Sequence, residues 1–238
     1  MSVIPQRRLA RAKTSAAVVD YIVEQLFEGR LRSGDRIDLD DVSETLGVSR
    51  LPVREAIVAL ERDGIVSTSY HKGVFVEPFD AESIRDDFEI MGLLSGLAVR
   101  RLADNPDSGT LEELQRLLSE LKSVEPADKE RIGALVNEMM ILEHRAGGSR
   151  RLRAALRAHT GFLPQAFRFI SNRNHDVTLR FHSRVIRSIR AGDGEKAAHY
   201  RLEDFKDAGQ LVVRELERRG VMAPVERSLS RLSDVGSN

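Results

Sequence analysis

A chain of 238 residues with 41% hydrophobic side chains is long enough for one large or two modest globular domains, and 37 basic against 37 acidic groups give a net charge that points to no nucleic-acid partner. The absence of cysteine excludes disulfides and thiolate metal sites. No run of 18 or more apolar residues and no signal-peptide pattern occurs, so the expectation is a cytoplasmic protein with no membrane contact.

In chain order, residues 1–13 hold Arg7, Arg8, Arg11 and Lys13 and no acid, which suits a flexible basic arm near phosphates and a merely disordered tail equally. Over 14–30, Val18, Ile22 and Leu26, with Val19, Val23 and Phe27 beside them, mark a helix with Thr14 as its cap and Gly29 to Gly34 as its end. Asp38, Asp40 and Asp41 open a short second helix over 40–46. Carboxylates suit the positive end of the helix dipole there, and would repel phosphate if they faced it. Gly47 and Val48 join it to a third helix starting at about Arg50. Ser49 is placed to cap that helix, and Pro52 falls in its first turn, where a missing N–H costs nothing. Val53, Ala56, Ile57 and Leu60 recur on one buried face, while Arg50, Leu51, Arg54 and, more weakly, Glu55 point away from it. Two arginines one turn apart at a helix start can reach guanine edges or phosphates when that end enters a major groove. The pair of helices is a helix-turn-helix. The β-rich runs 65–70 and 74–77 flank His71, Lys72 and Gly73, a hairpin whose tip offers phosphate or minor-groove contacts, and so form a wing.

The segments Ser33-Gly-Asp-Arg-Ile37, Leu46-Gly-Val-Ser-Arg50, Pro52-Val-Arg-Glu-Ala-Ile57, Leu60-Glu-Arg-Asp-Gly64 and Gly73-Val-Phe-Val76, in this order and spacing over residues 10–78, resemble the GntR family of bacterial regulators. The resemblance implies a DNA-binding transcriptional regulator that works as a homodimer on a palindromic double-stranded operator. The DNA-binding residues are then Arg50, Arg54 and Ser49, with Leu51 and Pro52 on the same helix end, and His71, Lys72 and the backbone near Gly73 for phosphate. Many relatives carry a basic residue near the start of the second helix, close to the place of Asp40 here.

From Asp80 onward the pattern is helical. Helices are expected to about Ala103, over 111–124, and at about 127–146, 149–158, 160–171, 175–191 and 194–219, with breaks at Asn105 to Gly109, Glu125-Pro126, Gly147-Gly148, Thr160-Gly161, Asn172 to Asn174 and Gly192 to Gly194. The fold class is therefore mostly α: a winged helix-turn-helix of three helices and a β-hairpin, followed by an all-α bundle of about six to seven helices. The division is 1–13 arm, 14–78 DNA-binding domain, 79–220 helical domain and 221–238 tail. Helix number and order, Gly147-Gly148, and His182 followed by Asp193 and Ala197 resemble the FCD domain of the FadR-like subgroup, which implies an effector-binding and dimerising bundle.

Many members of that subgroup bind a divalent metal through an aspartate, a histidine four residues later and two more histidines. The corresponding places hold Val136 and Met140, or Asn137 and Ile141 in a register shifted by one, then His182 and Asp204. Aliphatic groups donate nothing and a thioether suits softer ions, so only His182 and Asp204 remain as metal candidates and no metal is expected to be required. Met91 and Ser95 stand where an arginine and a glutamate would clamp a carboxylate. The effector-binding set is thus His182, Asp204, Met91, Ser95, Asn137, Met140 and Ile141. From Ser149 to Ala191 there are ten arginines and one acid, Asp176, a basic rim for an elongated apolar anion such as a fatty acid or acyl-coenzyme A. Such a ligand gains about 0.8 kcal/mol per buried CH₂ in place of a metal. The alternatives are a bundle core with no ligand, a metal-bound small organic acid as effector, and a small metal-dependent enzyme. For an enzyme, the histidines 144, 159, 175, 182 and 199 are scattered over several helices, with no nucleophile, base and orienting group together. The expected activity is that of a ligand-responsive repressor.

Overall fold

The computed structural model describes residues 6–77, 80–158 and 174–222, with side chains from Thr14 onward. The chain divides into two compact units, one of residues 1–81 together with 214–238, the other of residues 82–213. The expected helix over 160–171, with His159, Arg168 and Arg173, and most of the expected tail lie outside the described residues.

In the first unit α1 (Gln6–Phe27) leads to β1 (Arg36–Ile37), α2 (Leu39–Thr45), α3 (Arg50–Arg62), β2 (Val66–Ser69) and β3 (Gly73–Val76). Val18, Ile22, Val23, Leu26 and Phe27 are buried, as the spacing of α1 requires. The helix starts earlier than expected, however. Residues 6–13 are its first turns and not a flexible arm, because Gln, Arg, Leu, Ala and Lys are all good helix formers. Thr14 consequently lies inside the helix and not at its start. Asp38 does cap α2, its side chain accepting from the amides of Asp40 and Asp41. Gly47, at φ 60°, makes the turn into α3, and Ser43 Oγ donates to Val48 O at 2.5 Å across it. The wing gains a strand that the sequence reading lacked: antiparallel order β1-β3-β2, with Arg36 opposite Phe75 and Val66 opposite Val76. Two residues are too short a run to show alternation.

The C-terminal end belongs to this unit. Val221 and Met222 are buried, and Arg219 Nη1 donates to the carbonyl of Phe27 at the end of α1, at 3.2 Å. The expected boundary at 220 is therefore corrected: residues 214–222 group with the N-terminal unit, where Val221 lies beside Gly29, just after α1.

The second unit contains most of α4 (Ala81–Asp104), α5 (Ser108–Ser123), α6 (Lys129–Gly147), α7 (Arg150–Ala158), α8 (His175–Arg190) and most of α9 (Gly194–Arg218). Asp107, Asp128 and Asn174 cap α5, α6 and α8 by accepting backbone N–H groups. One core joins Val99 and Leu102 of α4, the four buried leucines of α5, Leu135 and Met139 of α6, Val185, Ile186 and Ile189 of α8 and Ala197 of α9. Helices α4 and α6 meet at Gly147, where a Cβ would lie 1.9 Å from Ala98 O. Among the described residues no helix is long and apolar enough to cross a membrane.

Candidate DNA-reading face and effector centre

Val53, Ala56, Ile57 and Leu60 of α3 are buried, and the helix therefore turns Arg50, Leu51, Arg54 and Val58 outward. Leu51 is 49% and Val58 66% exposed, so the outward stripe mixes two cations with apolar surface suited to a base methyl. Ser49 occupies the cap position at φ −74° and ψ 162°, but its side chain makes no capping bond, contrary to expectation. Its hydroxyl stays on the exposed side. Pro52 is a second correction: it is buried one turn before Ala56, on the core side of the helix, and takes no part in the exposed face. Arg54 forms no ion pair among the described residues, whereas Arg50 is held by Asp40, Nε to Oδ1 at 2.9 Å and Nη2 to Oδ2 at 3.0 Å.

At the wing tip Lys72 N donates to Ser69 O at 3.0 Å, closing a turn in which His71 takes φ 61°. Tyr70, 86% exposed, sets its ring edge-on to that of His71 at 3.9 Å between centroids. Gly73, at φ 112°, admits the Arg36 side chain, whose Nε lies 2.9 Å from where a Cβ would be. Glu61 at the end of α3 accepts from Thr68 N at 2.9 Å, so wing and reading helix form one surface. Tyr70, Val58 and Arg36 are missing from the sequence reading. Large or basic side chains facing away from a buried stripe were the available signal.

In the second unit, Met91, Ser95, His182 and Asp204 are all buried, and Met140 is half-buried. Asn137 and Ile141 are not inside: they are exposed on α6, Ile141 at 57%, because the core face of that helix is Ile132, Leu135, Met139, Glu143 and Gly147. The shifted register is thereby corrected in favour of Val136 and Met140. What the interior does contain is Arg201, with no exposed surface. Its Nη2 donates to Glu143 Oε2 at 2.5 Å and its Nη1 to Asp204 Oδ2 at 3.0 Å. Burial pushes the Glu143 carboxyl up, against the pull of the Arg201 charge. Beside it Ser95 Oγ and His144 Nε2 share a hydrogen bond of 2.7 Å, and burial with the Arg201 charge lowers His144 to about 4, so its ring is neutral at pH 7. Glu143 Oε1 and Arg201 Nε find no hydrogen-bond partner among the described residues.

The model for bacterial regulatory proteins of the gntR family matches residues 14–76, and the FCD domain model matches residues 86–203. An uncharacterized HTH-type transcriptional regulator of Mycobacterium tuberculosis is 35% identical over 214 residues, covering 90% of this chain and 87% of that protein. The chain belongs to the GntR family. This GntR regulator is also similar to a probable D-xylose utilization operon transcriptional repressor of Paenarthrobacter nicotinovorans, 27% identical over 81% of this chain and 86% of the relative. Its fold is shared by Escherichia coli McbR/YncC, at a TM-score of 0.61 and 20% identity over 85% of this chain and 97% of that one. The family is one of transcriptional regulators, and the enzyme alternative falls away.

In the FCD domain of this GntR regulator, the places at which the resemblance raised a divalent metal hold Val136, Met140, His182 and Asp204. Among the described residues no three His, Asp or Glu side chains are grouped to hold an ion. Val136 packs on the core, and both buried carboxylates already face a guanidinium that supplies a positive charge. In this domain the sequence reading missed Arg201 and Glu143. Each was legible as a charge on an apolar stripe: Ala197, Arg201, Phe205, Ala208 and Val212 on α9, and Leu135, Met139, Glu143 and Gly147 on α6. The described arginines of the expected basic rim lie outside the core. Arg187 and Arg190 line a surface cleft of about 380 Å³ with Lys122, between α5 and α8.

Proposed function

We propose that this protein is a ligand-responsive repressor that binds a palindromic operator as a homodimer, and that a carboxylate effector with an apolar body enters the bundle at Arg201 without a metal. The observation that carries the effector reading is the fully buried guanidinium in an apolar core, with hydrogen-bonding capacity left over on it and on Glu143. A buried polar atom without a partner costs about 1–3 kcal/mol, which an occupant with both donors and acceptors recovers. An entering carboxylate takes over Nη2 from Glu143, whose burial already favours the neutral acid. Met91, Phe88, Met139 and Phe205 supply buried apolar surface in the same unit. A fatty acid matches this chemistry directly. An acyl-coenzyme A presents phosphates instead, for which Arg184, Arg187 and Arg190 on the outside would have to serve.

Support for a dimer comes from α4, where Ile90, Leu93 and Leu97 leave 39%, 55% and 36% of their surfaces exposed along one stripe. A two-fold pair of reading helices calls for a palindrome, in the cytoplasm where its operator lies. Effector binding lowers operator affinity in this scheme, by a coupling that works in both directions. The test is a titration of C6 to C18 fatty acids and their coenzyme A thioesters against operator-bound protein, with light scattering for the oligomer. Dimers released by a fatty acid, with no release from Arg201→Met protein that still binds operator, are expected. No release by any ligand that raises the melting temperature would overturn the repressor mechanism.

A further inference from the structure

The ion pair between Asp40 and Arg50 joins the start of α2 to the start of α3 on the exposed face, with side-chain exposures of 67% and 71%. A pair so open to water adds little to stability. Its geometry is nevertheless specific. Oδ1 of Asp40 takes Nε and Oδ2 takes Nη2, so the carboxylate lies along the side edge of the guanidinium. A guanidinium is planar and has five N–H groups. With the side edge taken, the parallel N–H groups of Nη1 and Nη2 on its end edge remain, and this fork matches O6 and N7 of guanine. The Asp40 backbone is anchored in turn, because its N–H donates to the Asp38 side chain at 2.9 Å. The start of α2 thus presents a carboxylate to the side edge of an arginine on α3.

The charge of Asp40 acts in the same direction. An aspartate beside Arg50 cancels most of its attraction for a phosphate, while leaving its directional donors intact. We propose that Asp40 is a positioning residue that commits Arg50 to reading one guanine in each half-site, so that this acidic side chain sets operator specificity without touching a base. The inference rests on the operator reading above and adds which base is read and what enforces it.

The experiment is selection of full-length protein on double-stranded DNA with a randomised 24-base-pair core, repeated for Asp40→Ala, Asp40→Asn, Arg50→Ala and the Asp40→Ala/Arg50→Ala double variant. Melting curves serve as a check that each variant folds. Wild type should select a palindrome with one guanine per half-site that depends on Arg50. Asp40→Ala should bind random DNA as well as wild type or better, yet lose roughly tenfold of its preference for that guanine. Its log affinity should also fall more steeply with log salt, by about one further phosphate contact, as Arg50 swings to the backbone. Asp40→Asn, which keeps one acceptor, should fall between. In the Arg50→Ala background the Asp40 substitution should leave base preference unchanged. The inference is overturned if Asp40→Ala strengthens binding to every sequence by the same factor, or if its effect on base preference survives without Arg50. A wild-type selection with no consensus at all would remove the operator reading itself, and this inference with it.

Discussion

Arg201 and Glu143, 58 residues apart in sequence, meet through Nη2 and Oε2 at 2.5 Å with neither side chain exposed. Their pairing crosses from α9 to α6 in the middle of the second unit. Asp204, one turn further along α9, holds the other terminal nitrogen. Removing the cation therefore leaves two buried carboxylates facing one another. Arg201→Met should destabilise the protein by about 3–5 kcal/mol, whereas Arg201→Met/Glu143→Leu should cost less than the sum of the single changes. Urea unfolding of the four proteins checks this. Strictly additive losses would show that the two residues do not stabilise each other.

His144 makes stability depend on pH in a defined window. Its folded pKa is lowered to about 4 from an ordinary 6.5, so the unfolded chain takes up the proton first. Stability is complete above pH 6.5, declines as pH falls towards 4, and is not lost further through this group below that. For a shift of this size the loss is on the order of 2–3 kcal/mol. The difference in unfolding free energy between wild type and His144→Gln, measured from pH 7.5 to 4.5, should shrink by that amount. A difference that stays constant with pH would rule out the buried neutral ring.

Gly147 tests the packing of α4 on α6. A Cβ there would lie 1.9 Å from Ala98 O, a backbone atom that cannot rotate away. Gly147→Ala should cost several times the roughly 1 kcal/mol that alanine normally gains over glycine inside a helix, and with the opposite sign. Gly133→Ala, with nothing within 4 Å, provides the control and should be neutral or stabilising by thermal melting.

On the DNA side, Arg54 and Lys72 should separate into two kinds of contact. Arg54→Ala, on the exposed stripe of α3, should weaken operator binding by about 1–3 kcal/mol and relax specificity, because it is placed to meet base edges. Lys72→Ala, at the wing tip, should weaken operator and random DNA alike and reduce the salt slope by about one. Quantitative binding to operator and scrambled duplexes distinguishes them, and a uniform loss from Arg54→Ala would remove it from base readout.

Much of the first unit could be read locally. The Val53, Ala56, Ile57 and Leu60 stripe, the Asp38 cap and the turn at Gly47 are each decided within one or two helical turns, by side-chain spacing and backbone preference. The failures share a cause as well. Pro52 is counted among the DNA-binding residues from the family resemblance, but its burial depends on what covers the first turn of α3. Strand β1 has two residues and exists only because β3 offers Arg36 and Ile37 a partner. Asn137 and Ile141 were admitted by an alignment that one glycine pair could not fix, and the rotation of α6 against the core excluded them.

The sequence by itself determined that there are two units, that the first is a winged helix-turn-helix of the GntR type, and that the second is helical. These properties follow from periodicity and turn chemistry, which act over a few residues. Only the tertiary structure decided that Arg201 finds Glu143, that Asp40 holds Arg50, and that Arg219 and Val221 pack beside the end of α1. A charged side chain on an apolar stripe states a need for a partner, but not which one. The partner is settled when helices distant in sequence pack at one depth and one rotation, where desolvation makes an unpaired charge too costly to leave.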